Sequence, residues 1–487
     1  MKKTFLPIIL LLTKVCFSQI VNIPDTNFKY VLTHSSGYPF TGNGYDTNSN
    51  GEIEVSEANN IIFLSINNNN LQDLTGIKNF VNLKYLYCPY NYIQNLDLEN
   101  LSNLEELDCS YNNNQLSNIN LAGCISLRTI NCGANVLTSL NLTGLNSLVE
   151  LNCDTNLINN LDFSNTQSLK KVSALNSYGL HTITFENCNQ LEEIRISESA
   201  LINVSLSRLN NLKYVTFNNN IILNTLNLNT LPSLQYLECI NNKIQNLNLS
   251  AAPNLIEVDC HFNELTKLDF KNIDFLKFVN CSNNNLTELI INNPTYKDLI
   301  GINCSYNKLK GLTIKQPING LLCVFNNLTS LDLSNQNQMG GFDCSNNPIQ
   351  YINLMNSFSL PFYSPNGNYI HTENCPNLKF VCANDFQKDN LDAYFYSINK
   401  SDVEVSSSCD FKPVLSPNPA KNSLTITSAV FIKNITVISP KGDVVLSFKG
   451  VNNHFLNTDI SMLMNGMYFV QVEGQYNDKY VAKLIKH

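Results

Sequence analysis

A run of oxygen-bearing side chains near the start of the chain has the composition and spacing of a cation site. The segment from Asp46 reads D-T-N-S-N-G and has an acid, Glu57, at its twelfth position. Carboxylate, amide and backbone carbonyl oxygens are the ligands that Ca²⁺ prefers, and a glycine at the sixth position permits a sharp turn. The predicted ligands are Asp46, Asn48, Asn50, Glu52 through its backbone carbonyl, Glu54 and Glu57. The alternative is a polar, asparagine-rich turn that holds no metal.

This segment resembles the calcium loop of the EF-hand family. The resemblance implies a structural calcium ion that fixes the segment capping the first repeat. Asn27 to His34 can form a short helix, but Gly37, Pro39, Gly42 and Gly44 separate that helix from the loop. We therefore expect a single loop without a paired partner.

No familiar catalytic motif accompanies this loop. The sequence contains no H-E-x-x-H, G-x-S-x-G, P-loop or C-x-x-C pattern. Glu257 and Asp259 form a carboxylate pair of the kind used as acid and base, but an open, solvated surface gives such a pair no special reactivity. We expect a protein that is not an enzyme, with a hydrolase accessory role as an alternative.

Aromatic residues at predicted outward positions favour a binding surface. Aromatic side chains, tyrosine above all, supply apolar contact area at low cost in conformational entropy. The predicted ligand-binding residues are Tyr85, Tyr87, Tyr90, Tyr111, Tyr214, Tyr236, Phe262, Phe278, Tyr306 and Phe325. The alternative is that the aromatic residues that precede a recurring asparagine only shield a turn.

These residues are positioned by a repeat of about 21 residues, and each copy is called a coil here. The unit reads L-x-x-L-x-C-x-x-N-x-L-x-x-L-x-L. The period of two at the end of L-x-x-L-x-C predicts a short strand, and stacked strands form a parallel sheet on the concave side. The second alternating run, such as Leu140-Asn141-Leu142, predicts extended structure on the convex side.

The recurring asparagine forms a column that follows the predicted strands. A carboxamide offers two donors and an acceptor to the buried backbone groups of a turn, so we predict a hydrogen-bonded ladder between coils. Its members are Asn91, Asn112, Asn135, Asn156, Asn242, Asn263, Asn284 and Asn307. Ser177 and Ser199 occupy two positions of the same column.

Ten of the sixteen cysteines stand three residues before a column position, at an inward slot that Ala174, Ile196 and Phe217 fill in other coils. We interpret these ten as reduced, buried hydrophobic residues, with some bridges or metal binding as alternatives. Cys382 and Cys409 lie where the repeat ends. A disulfide there, with Cys375 as a further candidate, would staple the exposed end of the core.

The repeat resembles the leucine-rich repeat family over roughly residues 61–385. The resemblance implies a mainly β solenoid with a concave parallel sheet and an extended convex side. Two weaker copies follow Cys344. One surrounds Leu360, Tyr363, Pro365 and Ile370, and the other surrounds Leu378 and Val381.

The first eighteen residues have the pattern of a secretory signal peptide, with Lys2 and Lys3 before an apolar run. No other stretch has the length of a membrane-spanning helix. The net charge is −8, although residues 413–487 hold seven lysines and four acids. An acidic solenoid argues against nucleic acid as a partner.

After Cys409 the repeat is lost, and alternating runs predict a small β-sandwich. The predicted strands are Ser423 to Ile426, Ile435 to Ile438, Val444 to Phe448 and Tyr468 to Val472. The order of S-P-N-P-A from Ser416, the turn from Ser439 to Gly442, and Gly466-Met467-Tyr468 resembles the C-terminal sorting domain of type IX secretion cargo in Bacteroidetes. The resemblance implies a partner in the type IX secretion machinery, and removal of the domain after export.

We therefore predict a secreted or cell-surface binding or adhesion protein whose concave face recognises an extracellular protein or glycan. A structural surface or matrix component without a specific ligand is the alternative. The predicted segments are the signal peptide (1–18), an N-terminal cap with the calcium loop (19–60), the solenoid (61–385), a C-terminal cap or linker (386–412) and the sorting domain (413–487).

Overall fold

The computed structural model describes residues 19–34, 45–291, 299–314, 316–355, 370–407, 413–474 and 479–487. The predicted signal peptide, the segment from Gly37 to Gly44, Cys409 and the repeat residues Leu360, Tyr363 and Pro365 lie outside the described residues. The chain divides into two compact units, Met1–Leu255 and Ile256–His487.

The first unit begins with helices α1 (Thr26–His34) and α2 (Val55–Ala58), followed by a single 3₁₀ turn, Ile77–Asn79. Phe28 and Leu32 of α1 are buried, and Phe28 stacks on Phe80 with ring centroids 6.4 Å apart. Asp25 accepts a hydrogen bond from the α1 backbone at Phe28 (2.9 Å) and another from Gln72 N (2.8 Å). The N-terminal segment therefore packs on the first coils, and α1 confirms the helix predicted from Asn27 to His34.

Nine described strands of the first unit form a parallel sheet, and we keep the name concave face for the solvent side of this sheet in each unit. The strands are Phe63–Ser65, Tyr85–Tyr87, Glu106–Asp108, Thr129–Asn131, Glu150–Asn152, Lys171–Ala174, Glu193–Ser197, Tyr214–Asn218 and Tyr236–Glu238. Each residue pairs with its equivalent one coil later, as Leu107 does with Ile130.

On the convex side of this unit, the described strands form separate two-stranded pairs. They are Asn95–Asp97 with Asn118–Asn120, Asn160–Asp162 with Thr182–Thr184, and Asn203–Ser205 with Thr225–Asn227. The leucine positions between the two sides form the core. In one coil Leu148, Leu151, Cys153, Ile158, Leu161 and Phe163 are each no more than 2% exposed. The two-residue period of each strand sends these side chains inward and leaves the alternate ones in solvent.

The second unit repeats this plan. Its described concave strands are Glu257–Asp259, Phe278–Asn280, Gly301–Asn303, Gly320–Leu322, Gly341–Asp343 and Ile370–His371. Its described convex strands are Lys267–Asp269 with Glu288–Ile290, and the four-stranded set Ser330–Asp332, Tyr351–Asn353, Phe380–Cys382 and Glu404–Ser406. The repeat copy around Leu378 and Val381 thus contributes a convex strand.

The end of the solenoid contains a helix that the sequence did not predict. Residues 386–412 were expected to be a cap or linker, and helix α3 (Asp385–Ser397) begins at the predicted boundary. The strand Glu404–Ser406 then continues the convex ladder by pairing with Phe380–Cys382. Asn384 and Gln387 form a capping box that starts α3, and Leu391 and Phe395 bury its inner face. A polar segment without the repeat therefore still closes the core.

The C-terminal domain contains the antiparallel strands Val414–Ser416, Ser423–Ile438, Val444–Asp459, Gly466–Gly474 and Lys479–Lys486. Its core includes Leu424, Ile426, Ile435, Val437, Val470 and Val472, which are at most 1% exposed. The predicted strands Ser423 to Ile426 and Ile435 to Ile438 are wrong as separate elements, because both belong to one strand with register shifts between Thr427 and Asn434. No proline or glycine lies between them, so the chain bends by irregular pairing instead of turning.

The predicted fold class is confirmed: a β solenoid of the leucine-rich repeat type precedes antiparallel structure consistent with a small sandwich. Within the ranges that the structure describes, no helix has the length and apolar character required to cross a membrane.

Candidate functional site

The column asparagines lie at the turn that follows each concave strand, buried between neighbouring coils. Asn307 is representative. Its Nδ2 donates to the carbonyls of Cys304 (3.1 Å) and, one coil earlier, Cys281 (3.0 Å), and its Oδ1 accepts from Leu286 N (2.9 Å). The predicted ladder members Asn91, Asn112, Asn135, Asn156, Asn242, Asn263, Asn284 and Asn307 are all at most 8% exposed and each donates to a backbone carbonyl.

The column cysteines lie beside this ladder, and their thiols are reduced and buried. In the described ranges thirteen cysteines are reduced and buried, the ten column members among them. Burial raises the pKa of Cys132 and Cys304 to about 12, so these thiols stay protonated. Cys382 is disulfide-bonded, whereas Cys375 is reduced and Cys409 is outside the described residues. The ten thiols therefore act as apolar packing groups.

A second structural column on the concave face was missed by the sequence analysis. In seven coils the last strand residue is Asp or Asn, and its side-chain oxygen accepts a hydrogen bond from the backbone N–H two residues later. The Oδ1 of Asp108 binds Ser110 N (3.0 Å), and the Oδ1 of Asn152 binds Asp154 N (2.9 Å). The other members are Asn131, Asp259, Asn280, Asn303 and Asp343. Polar side chains of this kind commonly satisfy turns in this way.

Three coils with a cysteine lack this residue, and each satisfies the same backbone position differently. Pro89 has no N–H to satisfy. Ile240 N donates to Asn218 Oδ1 of the preceding coil (2.9 Å), and Val324 N donates to Ser305 Oγ (3.2 Å). The signal that could have revealed this column is the recurrence of Asp or Asn directly before the cysteine. Part of the acidic character of the face therefore serves the turns.

The residue before each column position adopts a left-handed backbone conformation. Asparagine holds it at Asn68, Asn176, Asn219, Asn241, Asn283 and Asn346. Aromatic residues hold it at Tyr90, Tyr111, Phe262, Tyr306 and Phe325, with φ between 51° and 57°, and Ala134, Thr155 and Glu198 hold it in three further coils. Asparagine tolerates positive φ better than bulky residues, which incur a larger steric penalty there. The fold itself thus favours asparagine where five of the predicted binding residues stand.

These aromatic side chains are exposed and stack on one another across coils. Tyr90 and Tyr111 have ring centroids 4.9 Å apart with planes 13° from parallel, and Tyr306 and Phe325 are 4.7 Å apart. Tyr214 and Tyr236, within two neighbouring strands, stack at 4.9 Å. Each pair forms a flat apolar platform with hydroxyl groups at its edge.

The other predicted residues differ in exposure. Tyr85, Tyr87 and Tyr236 are half-buried, and Phe63 contacts Tyr87 with a centroid distance of 5.5 Å. Burial, together with a hydrogen bond to Glu106 Oε2 (2.6 Å), raises the pKa of Tyr87 to about 12. Phe262 contacts His261, and Phe278 is exposed on its strand.

The predicted calcium loop is compact and partly buried. Asp46 accepts hydrogen bonds from Gly51 N (2.8 Å) and Asn50 N (3.2 Å), and Gly51 has a φ of 81°. The carboxylate of Glu54 accepts from Asn48 Nδ2 (3.1 Å) and Asn50 Nδ2 (2.6 Å). Ile53, at the eighth position of the loop, is buried. Five of the six proposed ligands therefore lie on one tightly folded segment.

Glu57, the sixth proposed ligand, reaches back to this loop. Its Oε1 accepts from Thr47 N and Oγ1 (both 2.7 Å), and its Oε2 accepts from Glu54 N (3.1 Å). Burial alone would raise the pKa of Glu57, but hydrogen bonds with Glu54 and Thr47 outweigh it and lower the pKa to about 2. The side chain of Glu52 pairs with Lys29 (2.6 Å), so the backbone carbonyl of Glu52 remains as the proposed calcium ligand. Across the described part of the chain, no three His, Cys, Asp or Glu side chains are grouped so that they could hold a metal ion.

The comparison with protein families decides what the C-terminal domain is. Residues 415–487 match the family described as the secretion system C-terminal sorting domain. This segment is a sorting domain. It indicates type IX secretion and a destination outside the cell or on its surface. No curated protein matches the sequence.

Solved structures with a similar chain trace are bacterial leucine-rich repeat proteins and others of that fold. The functional domain of InlJ from Listeria monocytogenes, described as including a cysteine ladder, is 19% identical with a TM-score of 0.42, over 96% of this chain and 98% of that chain. A leucine-rich repeat protein from Leptospira interrogans is 18% identical (TM-score 0.42, 72% and 97%). YopM from Yersinia enterocolitica is 19% identical (TM-score 0.43, 67% and 83%).

Proposed function

We propose that this protein is a secreted, non-enzymatic binding or adhesion protein whose concave face recognises an extracellular protein or glycan. The sorting domain supports export, and we propose that it is removed afterwards so that the mature protein is released or held at the cell surface. The observation that carries the binding role is the set of exposed, stacked aromatic residues at backbone positions where asparagine is the better structural choice.

That observation favours binding over turn shielding. An aromatic residue at positive φ costs about 1 kcal/mol or more relative to a residue suited to this region. Exposed rings recover little of this through burial, since they remain about half accessible. Local strain retained at exposed positions is typical of functional surfaces, and aromatic anchors dominate many interfaces.

The test uses the full chain and two double variants, Tyr90→Asn with Tyr111→Asn, and Tyr306→Asn with Phe325→Asn. Arrays of extracellular proteins and of glycans identify ligands of the parent chain. We expect at least one variant to lose about ten-fold or more in affinity for such a ligand, with a melting temperature equal to or above that of the parent. Phe275→Asn, which removes an exposed ring outside the concave strands, serves as the control.

Two results would contradict this proposal. Lower melting temperatures in both double variants, with array binding retained, would show that the rings shield the turns. A parent chain that binds nothing on either array and self-associates instead would favour the alternative, a structural surface or matrix component.

We further propose that the segment from Asp46 to Glu57 binds a structural calcium ion. The support is the ligand pattern of the sequence together with burial: Asp46, Glu54 and Glu57 are 2%, 8% and 6% exposed, and a buried carboxylate needs hydrogen-bond donors or a cation. The ion would be held by Asp46, Asn48, Asn50, the Glu52 carbonyl, Glu54 and Glu57, and would neutralise these groups. Its role would be to hold the N-terminal cap on the first coils.

Calorimetry of the full, chelator-treated chain with CaCl₂ tests this role. We expect heat release for calcium and a higher melting temperature, and neither effect in the Asp46→Ala/Glu57→Ala variant. Asp73→Ala, which removes a carboxylate that only caps its own turn, is the control. The absence of heat, with parent and double variant melting alike in calcium, would leave the loop as a polar turn.

A further inference from the structure

A cavity of about 660 Å³ opens on the concave face of the second unit, where glycines replace large side chains. The first residue of three described strands in succession is Gly301, Gly320 or Gly341. In the first unit the equivalent residues are Phe63, Tyr85, Glu106, Thr129, Glu150, Lys171, Glu193, Tyr214 and Tyr236, none of them glycine. The floor of the cavity is therefore bare backbone, with Phe278 at one side.

Backbone strain requires none of these glycines, and packing does not require Gly301 or Gly320. None of the three has a positive φ. A Cβ added at Gly320 would come no closer than 4.0 Å to any neighbour, and one added at Gly301 would make an ordinary contact of 3.7 Å with Phe278. Glycine in a strand is unfavourable by about 0.5–1 kcal/mol, and often marks a place where another group approaches the backbone closely. A ligand that occupies the cavity and approaches the backbone would account for the run of glycines.

The lining of the cavity carries negative charge without a lysine or arginine to balance it. Glu257, Asp259 and Asp343 line it. Asp259 lies 2.5 Å from His261 Nδ1, and the histidine that lines the cavity, His371, lies 3.2 Å from Glu373. The turns use one oxygen of Asp343, which accepts from Ser345 N at 2.9 Å, but the charge of the carboxylate remains. Such a surface attracts a cationic group.

The shape and the aromatic wall favour a flat cation. Phe278 is 44% exposed and presents its ring beside the bare floor. A guanidinium is planar, weakly hydrated, able to stack on an aromatic face and able to bind a carboxylate through two N–H groups. An ammonium lacks this planar fit.

We propose that this cavity binds the guanidinium of an arginine side chain, carried on a basic, extended segment of a partner protein. The proposal rests on the proposed binding function of the concave face and names the partner's chemistry in the second unit. A neutral oligosaccharide would stack on Phe278 equally well, but it would supply no positive charge to Glu257 and Asp343.

The experiment measures binding of a fluorescent tetra-arginine peptide to the full chain, with a tetra-lysine peptide and a neutral glucose hexasaccharide as comparison probes. Gly320→Val fills the floor, and Gly311→Val, at a glycine with nothing within 4 Å of an added Cβ, is the matched control. Phe278→Ser and Glu257→Gln remove the ring and one charge.

We expect the tetra-arginine peptide to bind about ten-fold more tightly than tetra-lysine. Gly320→Val should abolish this preference while its melting temperature stays equal or rises, because valine favours strands. Gly311→Val should bind as the parent does. Phe278→Ser and Glu257→Gln should each weaken tetra-arginine binding several-fold, the second more strongly at low salt.

Three outcomes would overturn the inference. Equal binding of both peptides, or binding unaffected by Gly320→Val, would indicate attraction to the acidic surface alone. Hexasaccharide binding that Gly320→Val abolishes, without arginine binding, would make the cavity a glycan site. Array ligands that bind the parent and the Gly320→Val variant alike, with no tetra-arginine binding, would refute this inference and leave the proposed function standing.

Discussion

Two regions of the first unit differ in where the concave strand ends. We call a coil regular when its concave strand has three residues and irregular when that strand has five. In the regular coil the strand Glu150–Asn152 ends before Cys153, and Asn156 Nδ2 donates to the Cys132 and Cys153 carbonyls at 3.0 and 3.1 Å. In the irregular coils the strands Glu193–Ser197 and Tyr214–Asn218 are two residues longer. Their column positions are Ser199 and Asn220, and Asn220 Nδ2 has no hydrogen-bond partner among the described residues.

The residue before the inward slot is one difference between them. Seven regular coils place Asp or Asn there, and this side chain accepts a hydrogen bond from the backbone N–H two residues later. The coils whose concave strands end in Tyr87, Glu238 or Leu322 have three-residue strands as well. Irregular coils have Arg195 and Thr216 instead, and strand pairing runs on to Ser197 and Asn218. The repeat therefore works as a linked set of Asp or Asn, cysteine and column asparagine.

The largest expected effect comes from breaking the ladder in a regular coil. Asn307→Ala removes the partner of Leu286 N and of carbonyls in two coils, all of them buried. We expect the free energy of unfolding to fall by about 3–5 kcal/mol, measured by chemical denaturation, because each buried group left unpaired costs roughly 1–3 kcal/mol.

Ser177→Ala is the matched change at a column position without asparagine. Ser177 Oγ makes one long hydrogen bond to the Leu175 carbonyl (3.4 Å), so we expect a loss of about 1 kcal/mol or less. Similar losses in the two variants would mean that the column amides contribute no more than a hydroxyl does. Hydrogen exchange at Leu286 N gives an independent local measure of the Asn307 bond.

A smaller effect is expected from removing the side chain that ends a regular strand. Asp108→Ala deprives Ser110 of the acceptor for its N–H (3.0 Å) and its Oγ (2.7 Å). By analogy with helix caps, we expect a loss of about 1–2 kcal/mol in unfolding free energy.

Thr216→Ala, at the equivalent position of an irregular coil, provides the comparison. We expect a loss of about 0.5 kcal/mol, arising from strand preference alone. An equal loss at both positions would argue against a special role for Asp or Asn at the strand end.

The last comparison distinguishes the coils from the N-terminal loop by acid titration. Amides of the ladder do not titrate, whereas the pKa of Glu57 is lowered to about 2 in the folded chain against about 4.3 in an unfolded one. Its contribution to stability is therefore complete above pH ~4.3 and is lost as the pH falls toward ~2.

Denaturation of the parent and of Glu57→Gln at pH 6 and pH 3 measures this contribution. The difference in unfolding free energy between the two proteins should be smaller at pH 3 than at pH 6. Hydrogen exchange at Leu286 N should be the same in both proteins. A constant difference across this range would show that the Glu57 charge does not stabilise the cap.

The sequence predicted the solenoid and most of its interior, because a buried side chain meets its own equivalent in the next coil and a repeated period records that contact. The spacing of Cys281, Asn284 and Asn307 was sufficient to predict that the asparagine side chains form hydrogen bonds between coils. Exposure was predicted less well: Tyr90 and Tyr111 are open, but Tyr85 and Tyr87 are half-buried against neighbours on adjacent strands. Helix α3 was not predicted, since the local hydrophobic pattern there does not carry the repeat.

By itself, the sequence determined the coil length, the inward residues, the sheet and the sorting domain. These depend on spacing and on side-chain type, which the chain states directly. Only the tertiary structure decided which polar residues on the face serve the turns, which aromatic rings stack at positive φ, and where three glycines open a cavity. Those properties depend on which backbone groups remain unpaired once the coils have stacked and on which side chains of separate coils then meet.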